Sequence, residues 1–405
     1  MDYLLPAHIH YGKKPIKLFF PENWDVTIAR MKGADTPALG EDALVRQIEN
    51  PIEKDTIEKD AKGKKSAVII FEDTTRPSSL EPVAKHVLEQ LRLAGIPKQN
   101  IRFIAAVGMH RAMILPDFVR KLGKDIPVEY PVFTHNPFYG CKAIGTTSLG
   151  TPVEINSDVL EAEYKITLGS YVPHGFAGFG GSYKLILPGV SSFETIKANH
   201  TKNHLNEERG PGKRKGNVII NDMMETAMQV GVDFSIGCIL NEKAEICHIF
   251  AGDITAAYNQ GCLIAEEHYK TDVVRDVDVA LLNNFMKATE PNNALNANAI
   301  AGVRAGGDII LASNSPEGTC THYLYGNFGL AENNTAYLYS AGKRRIDHIN
   351  RSIAFSMYPD MGASWWFGKP EEVIWADEWE KVLGILGKEK KHIAVYPCAE
   401  VQIIE

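Results

Sequence analysis

The run Ser66 to Phe71, SAVIIF, narrows most sharply what this chain can fold into. An unbroken apolar run of this length suits a strand covered on both faces, as in a parallel sheet layered between helices. The run leads into Glu72-Asp73-Thr74-Thr75-Arg76-Pro77, a polar turn, and then into a helical segment, PVAKHVLEQLRLAG, with Gly95 as its stop. A second strand, Ile101 to Val107, ends in Gly108-Met109-His110-Arg111, and a third, Tyr164 to Val172, delivers Pro173-His174. Strand, polar loop, helix, strand is the order of an open α/β sheet, whose ligands bind beyond the carboxyl ends of the strands. Asp73, Arg76, His110, Arg111 and His174 are therefore expected along one edge.

At 405 residues the chain exceeds one ordinary core, and two domains are the default. A new α/β pattern begins near Thr271, with Asp276 to Asn283 strand-like, Asn296 to Gly306 helical and Asp308 to Ala312 strand-like. The expected architecture is α/β with two domains, each a mostly parallel sheet flanked by helices, and an active site in the cleft between them. Residues 1–270 form the N-terminal domain and 271–396 the C-terminal domain that closes the cleft. A helix over Glu371 to Gly387 and a strand over His392 to Pro397 follow, and the tail 397–405 either stays with the second domain or returns to the first. The net charge of -7 offers no basic field for nucleic acid or anionic membrane. Six cysteines without a CxxC pair suggest neither a zinc knuckle nor a disulfide framework and fit a reducing cytoplasm. With no signal-like start and no run long enough to span a bilayer, the expectation is a soluble, cytoplasmic protein.

The stretch Gly169 to His204 is the densest in potential chemistry. His200 and His204, four apart, would share one face of a helix like a zinc pair; a solvated face is the competing reading, and Thr201 stands where a zinc protease has its glutamate. The glycines before Lys184 invite comparison with a phosphate loop, but two residues separate Gly181 from Lys184 and Leu185 replaces the required hydroxyl. Close packing in a tight turn is the alternative. Lys184, between that turn and an apolar segment, is either a desolvated nucleophile aimed at a carbonyl-bearing cofactor or a surface lysine that snorkels. Asp73 and Arg76 make either a local pair at a strand exit or a clamp for carboxylate or phosphate. Two imidazoles at strand ends, His110 and His174, suit proton transfer near neutral pH.

Taken together, EDTTRP at 72–77, VGMHR at 107–111 and PHGFAGFGGSYKLILPGVSSFETIKANH at 173–200 resemble the nickel-dependent lactate racemase family. The resemblance runs through most of the N-terminal two-thirds. It implies a nickel-pincer nucleotide, a sulfur-bearing pyridinium mononucleotide (the 3,5-bisthiocarboxylic acid), covalently joined at Lys184, with His200 as the protein's own nickel ligand. It further implies His110 and His174 as the acid/base pair and Arg76 as the anchor of the substrate carboxylate. Asp73, Gly181, Ser182, Pro188, Ser191 and Trp365 (or its neighbour Trp366) would lie near the nucleotide.

The family's C-terminal glutamine and lysine are replaced here by amides in EPNNALNANAIAG. Asn293 and Asn296 are then either binders of extra substrate hydroxyls, as on a sugar acid, or ordinary capping asparagines. The expected activity is racemisation or epimerisation at C2 of a 2-hydroxy acid by reversible hydride transfer. The expected partners are that small molecule and the cofactor-synthesis enzymes. A zinc hydrolase built on His110, His174 and His200, and a non-catalytic binding protein on the same fold, are the rivals.

Overall fold

The computed structural model describes residues 1–205, 209–324, 347–360 and 372–405. The chain divides into two compact units. One holds Thr36–Glu266 with the segment beginning at His322; the other holds Met1–Asp35, Glu267–Thr321 and the chain end.

In the first unit, Ala67–Glu72 is buried along its whole length and lies at the centre of a six-stranded sheet. It pairs in parallel with Ile101–Ala106 on one side and Tyr164–Ser170 on the other. Val132–Thr134 extends the sheet beyond Ile101–Ala106; Phe234–Leu240, parallel, and Ile246–Gly252, antiparallel, extend it the other way. Helix Glu81–Leu93 covers this sheet with Val83, Ala84, Val87, Leu88 and Leu91, the stripe that a 3.6-residue period predicts. Gly95, at φ +89°, turns the chain off just after the helix ends. The chain runs outward from Ala67–Glu72 through its next two strands, then returns to the opposite side with Tyr164–Ser170. The switch point, and with it the expected crevice, therefore lies at the carboxyl ends of Ala67–Glu72 and Tyr164–Ser170.

The second unit is also a six-stranded sheet, wholly parallel, in the order Val373–Ala376, Ile349–Phe355, Val303–Ser313, Val277–Asn284, His392–Tyr396, Asp25–Ile28. Here the fold departs from what the sequence leads one to expect. Residues 1–35 belong with this unit rather than with the expected 1–270, because Asp25–Ile28 finds its partner in His392–Tyr396. The tail stays in the same unit, with Ile403–Ile404 paired to Lys270–Thr271. The expected helix over 296–306 is confined to Ala297–Ala301, and the strand after it starts at Val303. Instead of one helix over 371–387 there is a strand, Val373–Ala376, and then helix Trp379–Leu386, since the β-branched and aromatic VIWA pairs with Ile349–Phe355.

Tyr171, fully buried just past Tyr164–Ser170, ties the sheet to the glycine-rich turn. Its hydroxyl meets Ser182 Oγ at 3.0 Å, and Ser182 Oγ meets Ser235 Oγ at 2.8 Å. Its ring fills the space left by two glycines: a Cβ on Gly237 would stand 1.9 Å from the ring and one on Gly261 2.3 Å. We expect Gly237→Ala to destabilise the protein by about 1–3 kcal/mol or more through overpacking, measured as a lowered midpoint in denaturant.

Candidate active site

At two of the three expected strand ends the side chains, Asp73 and His110, are joined by a hydrogen bond, and His174 at the third meets Lys184. Asp73, following Ala67–Glu72, accepts a 2.6 Å hydrogen bond on Oδ2 from His110 Nδ1, which follows Ile101–Ala106. Its Oδ1 accepts from the Thr75 amide at 3.1 Å and from Thr75 Oγ1 at 2.5 Å. Burial works to raise the Asp73 carboxyl, but the His110 imidazole, with Arg76 and Thr75, outweighs it and holds the group well below the usual carboxylate range. Asp73 is thus an ionised orienter. With the His110 proton on Nδ1, the lone pair is on Nε2, the arrangement of a general base. Arg76, almost wholly buried, donates Nη1 to the Thr75 carbonyl at 3.1 Å and to Thr75 Oγ1 at 2.9 Å.

His174 is held by a short turn in which Pro173–His174 pairs with Gly178–Phe179. Its Nδ1 accepts backbone N–H groups from Phe176 at 3.1 Å and Ala177 at 3.3 Å. That network assigns the ring proton to Nε2, which lies 3.1 Å from Lys184 Nζ. Lys184 sits in the 3-10 turn Ser182–Leu185, reached through Gly181 at φ +75°. A Cβ at Gly181 would press on the Tyr171 ring at 2.8 Å, so glycine is needed for packing as well as for conformation.

His200 closes the site from the last turn of helix Phe193–Thr201, whose first turn is capped by Ser192 Oγ accepting the Thr195 amide at 3.2 Å. It is buried, and its Nδ1 has no hydrogen-bond partner. Burial first, then the Lys184 ammonium position and His110, push its pKa down to about 3; the Ile196 carbonyl acts the other way without meeting hydrogen-bond geometry. A neutral imidazole with an orphaned buried nitrogen beside a lysine fits the donor that a borderline metal ion requires. The ring nitrogens of His110, His174 and His200 are not all within 4.8 Å of one another, so they do not form the zinc site of the hydrolase reading.

Other expected site residues have partners inside the fold. Ser182 is bonded to Tyr171 and Ser235, Ser191 donates Oγ to the Ile186 carbonyl at 2.8 Å, and Pro188 packs against Gly108. Asn293 donates to the Glu290 carbonyl at 3.2 Å, and Asn296 is the N-cap of Ala297–Ala301. Trp365 and Trp366 lie outside the described residues.

These residues come with independent similarity. Residues 11–211 match the family model of the lactate racemase N-terminal domain. A lactate racemase from Lactiplantibacillus plantarum is 31% identical over 297 residues, covering 71% of this chain and 69% of that protein. The chain belongs to the lactate racemase family. A lactate racemase from Thermoanaerobacterium thermosaccharolyticum is 29% identical over 76% of this chain and 74% of its own. The solved lactate racemase apoprotein from the same organism shares the fold, with a TM-score of 0.74 at 22% identity over 100% of both chains. A structure from Thermotoga maritima matches with a TM-score of 0.66 at 16% identity, over 91% of this chain and 99% of that one. The protein is accordingly an enzyme of the isomerase class.

This family member also carries site residues that its sequence does not advertise. His322 stacks edge-on against His110, ring centroids 5.2 Å apart, and accepts the Leu324 amide on Nδ1 at 3.2 Å. Burial, then His110, His200 and Lys184, push its pKa well below the ordinary value. Nothing local in THYLYG distinguishes it. Lys121, in DFVRKLGK, reads as a surface charge yet is fully buried. Its Nζ donates to Glu72 Oε1 at 3.0 Å, to the Arg76 carbonyl at 3.2 Å and to the Ser78 carbonyl at 2.7 Å. Glu72 Oε2 in turn accepts the Ser170 amide and hydroxyl, both at 2.7 Å. One ion pair therefore fixes the loop after each of the two strands at the switch point.

We expect Lys121→Met to cost about 3–5 kcal/mol by stranding the Glu72 charge, and Lys121→Met with Glu72→Gln to recover much of it, both read by denaturant unfolding. His135 tests the acid side. Its Nε2 donates to the Ser191 carbonyl at 2.8 Å and its Nδ1 accepts from Asn156 at 3.2 Å, while burial pushes its pKa from 6.5 down to about 4. The unfolded chain binds this proton first, so stability should fall as the pH drops from about 6.5 to 4, by up to about 3 kcal/mol. His135→Asn should flatten that part of the stability-against-pH curve.

Proposed function

We propose that this enzyme inverts C2 of a 2-hydroxy acid with a nickel-pincer nucleotide tethered at Lys184 and with His200 as the protein's metal ligand. The observation that carries this reading is the pair of imidazoles in complementary protonation. His110, backed by Asp73, presents a lone pair at Nε2, and His174, backed by two backbone N–H groups, presents a proton there. His110 is set to take a proton, and His174 would give one from its charged form. The nucleotide, when bound, supplies a site that accepts a hydride from C2 and returns it.

In one direction His110 Nε2 removes the hydroxyl proton of the substrate, and Asp73 stabilises the imidazolium that forms, as the carboxylate of a catalytic triad does. His174, as an imidazolium that becomes neutral on giving up a proton, would supply a proton to the substrate oxygen from the other side. In the opposite direction the roles exchange, so both enantiomers are served. Arg76, on the same loop as Asp73, anchors the carboxylate. Gly181 and Gly189 let the turn approach closely, and Ser182, Pro188 and Ser191 hold the shape of the turn beside the nucleotide.

The substrate class we propose is an acid larger or more polar than lactate, such as a sugar acid, because the family's cation is missing from EPNNALNANAIAG. Asn293 and Asn296 use their side chains on the chain's own backbone, so any extra hydroxyls would be met by other groups. The enzyme would depend on the cofactor-synthesis enzymes for its nucleotide.

Protein produced alongside those enzymes should show an intact-mass adduct that disappears in Lys184→Ala. Holo protein should wash deuterium out of, or invert, C2 of at least one 2-hydroxy acid in a panel that includes sugar acids. His110→Ala and His174→Ala should each lower turnover roughly 10²–10⁴-fold. Absence of any adduct in a competent host would sink the assignment.

A further inference from the structure

His200 stands next to the end of helix Phe193–Thr201, in the last turn, where a helix is least constrained by its own hydrogen bonds. The start of that helix is tied to strand Pro152–Asn156. The Ser192 amide donates to the Glu154 carbonyl at 2.9 Å, and Thr195 Oγ1 accepts the Glu154 amide at 3.0 Å. Its end is tied by Asn199, the residue beside His200. Asn199 is fully buried and donates Nδ2 to Asp222 Oδ2 at 2.7 Å and to the Ile219 carbonyl at 3.4 Å, both on helix Val218–Val230. Asp222 is itself held in place, because Thr147 and Thr151 donate their hydroxyls to its two oxygens at 2.5 and 2.7 Å.

The same helix grips the turn that carries His174. Asn217 caps it, Oδ1 accepting the Ile219 and Ile220 amides at 3.0 and 3.1 Å, and Asn217 Nδ2 donates to the Phe176 carbonyl at 2.7 Å. Phe176 in turn gives its amide to His174 Nδ1 and sets its ring edge-on to that of His200, centroids 6.0 Å apart. One rod therefore holds both sides of the site, from Asn217 and from Asp222, which lie about 7.5 Å apart along its axis.

The other half of the Asn199 amide separates direction from stability. Its Oδ1 is buried with no hydrogen-bond partner among the described residues. A buried unpaired acceptor costs stability, and an apolar side chain of the same size would avoid that cost. What the amide adds is a fixed orientation of the helix end that bears His200.

Resting on the reading of His200 as the metal ligand, we propose that Asn199 and Asn217 are positioning residues that act through helix Val218–Val230. Together they hold the His200 imidazole at a set distance from the turn of His174, whose Nε2 meets Lys184, the proposed point of attachment of the nucleotide. Groups that orient a metal ligand without touching the metal typically change metal affinity roughly 10–100-fold when removed.

The test uses full-length protein produced alongside the cofactor-synthesis enzymes. Asn199→Leu removes the amide while keeping the volume, and Asp222 keeps its two threonine donors. Asn217→Ser keeps a helix cap but is too short to reach the Phe176 carbonyl. In both, intact mass should show the same adduct at Lys184 as wild type. Nickel should nevertheless pass to EDTA at least about tenfold faster, and the visible absorption of the bound nickel should shift. Tyr164→Phe, which removes a hydrogen bond to Asp60 at the far end of strand Tyr164–Ser170, controls for general loosening and should release nickel at the wild-type rate.

Wild-type nickel release from either folded asparagine variant, or an equal acceleration in Tyr164→Phe, would overturn the proposal and leave the cofactor reading standing. If one asparagine variant does not fold, the other decides. Wild type without adduct or without nickel would overturn both.

Discussion

The buried ion pair between Lys121 and Glu72 is the constraint on which the site depends. A charge in a protein interior is tolerable only when paired and fully hydrogen-bonded. Here Lys121 Nζ reaches one carboxylate oxygen, two loop carbonyls and the Ser78 hydroxyl, and the other carboxylate oxygen takes the amide and hydroxyl of Ser170. The pair therefore sets the distance between the turn that holds Asp73 and Arg76 and the strand that leads to His174. Neither loop can shift without leaving a charge unsatisfied. Proton transfer of the kind proposed for this site requires that kind of preorganisation.

On that frame the site is assembled from tautomers. Asp73 settles the proton of His110 on Nδ1, and two backbone amides settle that of His174 on Nε2. Neither choice needs a metal or a substrate. The protein presents two imidazoles whose Nε2 atoms differ, one a lone pair and one an N–H, according to which nitrogen the surrounding fold engages. His322, edge-on to His110, adds a further neutral ring, so the neighbourhood of Lys184 is crowded with imidazoles whose charged forms are disfavoured by burial and by one another.

Much of this is legible in the amino-acid sequence. The run SAVIIF announces a buried parallel strand, and topology alone places the polar residues after it, after VGM and after YVP on one edge. The motif around Lys184 carries the family, and the similarity to known lactate racemases agrees. Where the sequence misleads, the reasons are long-range. Asp25–Ile28 pairs with His392–Tyr396 across most of the chain, which no local pattern encodes. Ser182 and Ser191, which the resemblance puts near the nucleotide, also carry internal hydrogen bonds that spacing along the chain does not disclose.

The kinds of element, the order in which they come, and the residues that stand at the carboxyl ends of the first sheet follow from the amino-acid order alone, because periodicity and turn chemistry are local. The lysine and histidines of the family motif are written there too. Which of those groups touch, where each imidazole proton resides, and that Lys121 is an interior cation rather than a solvated one are settled only in the folded molecule. Those outcomes depend on burial and on hydrogen-bond partners brought together from distant segments, which spacing along a chain does not specify.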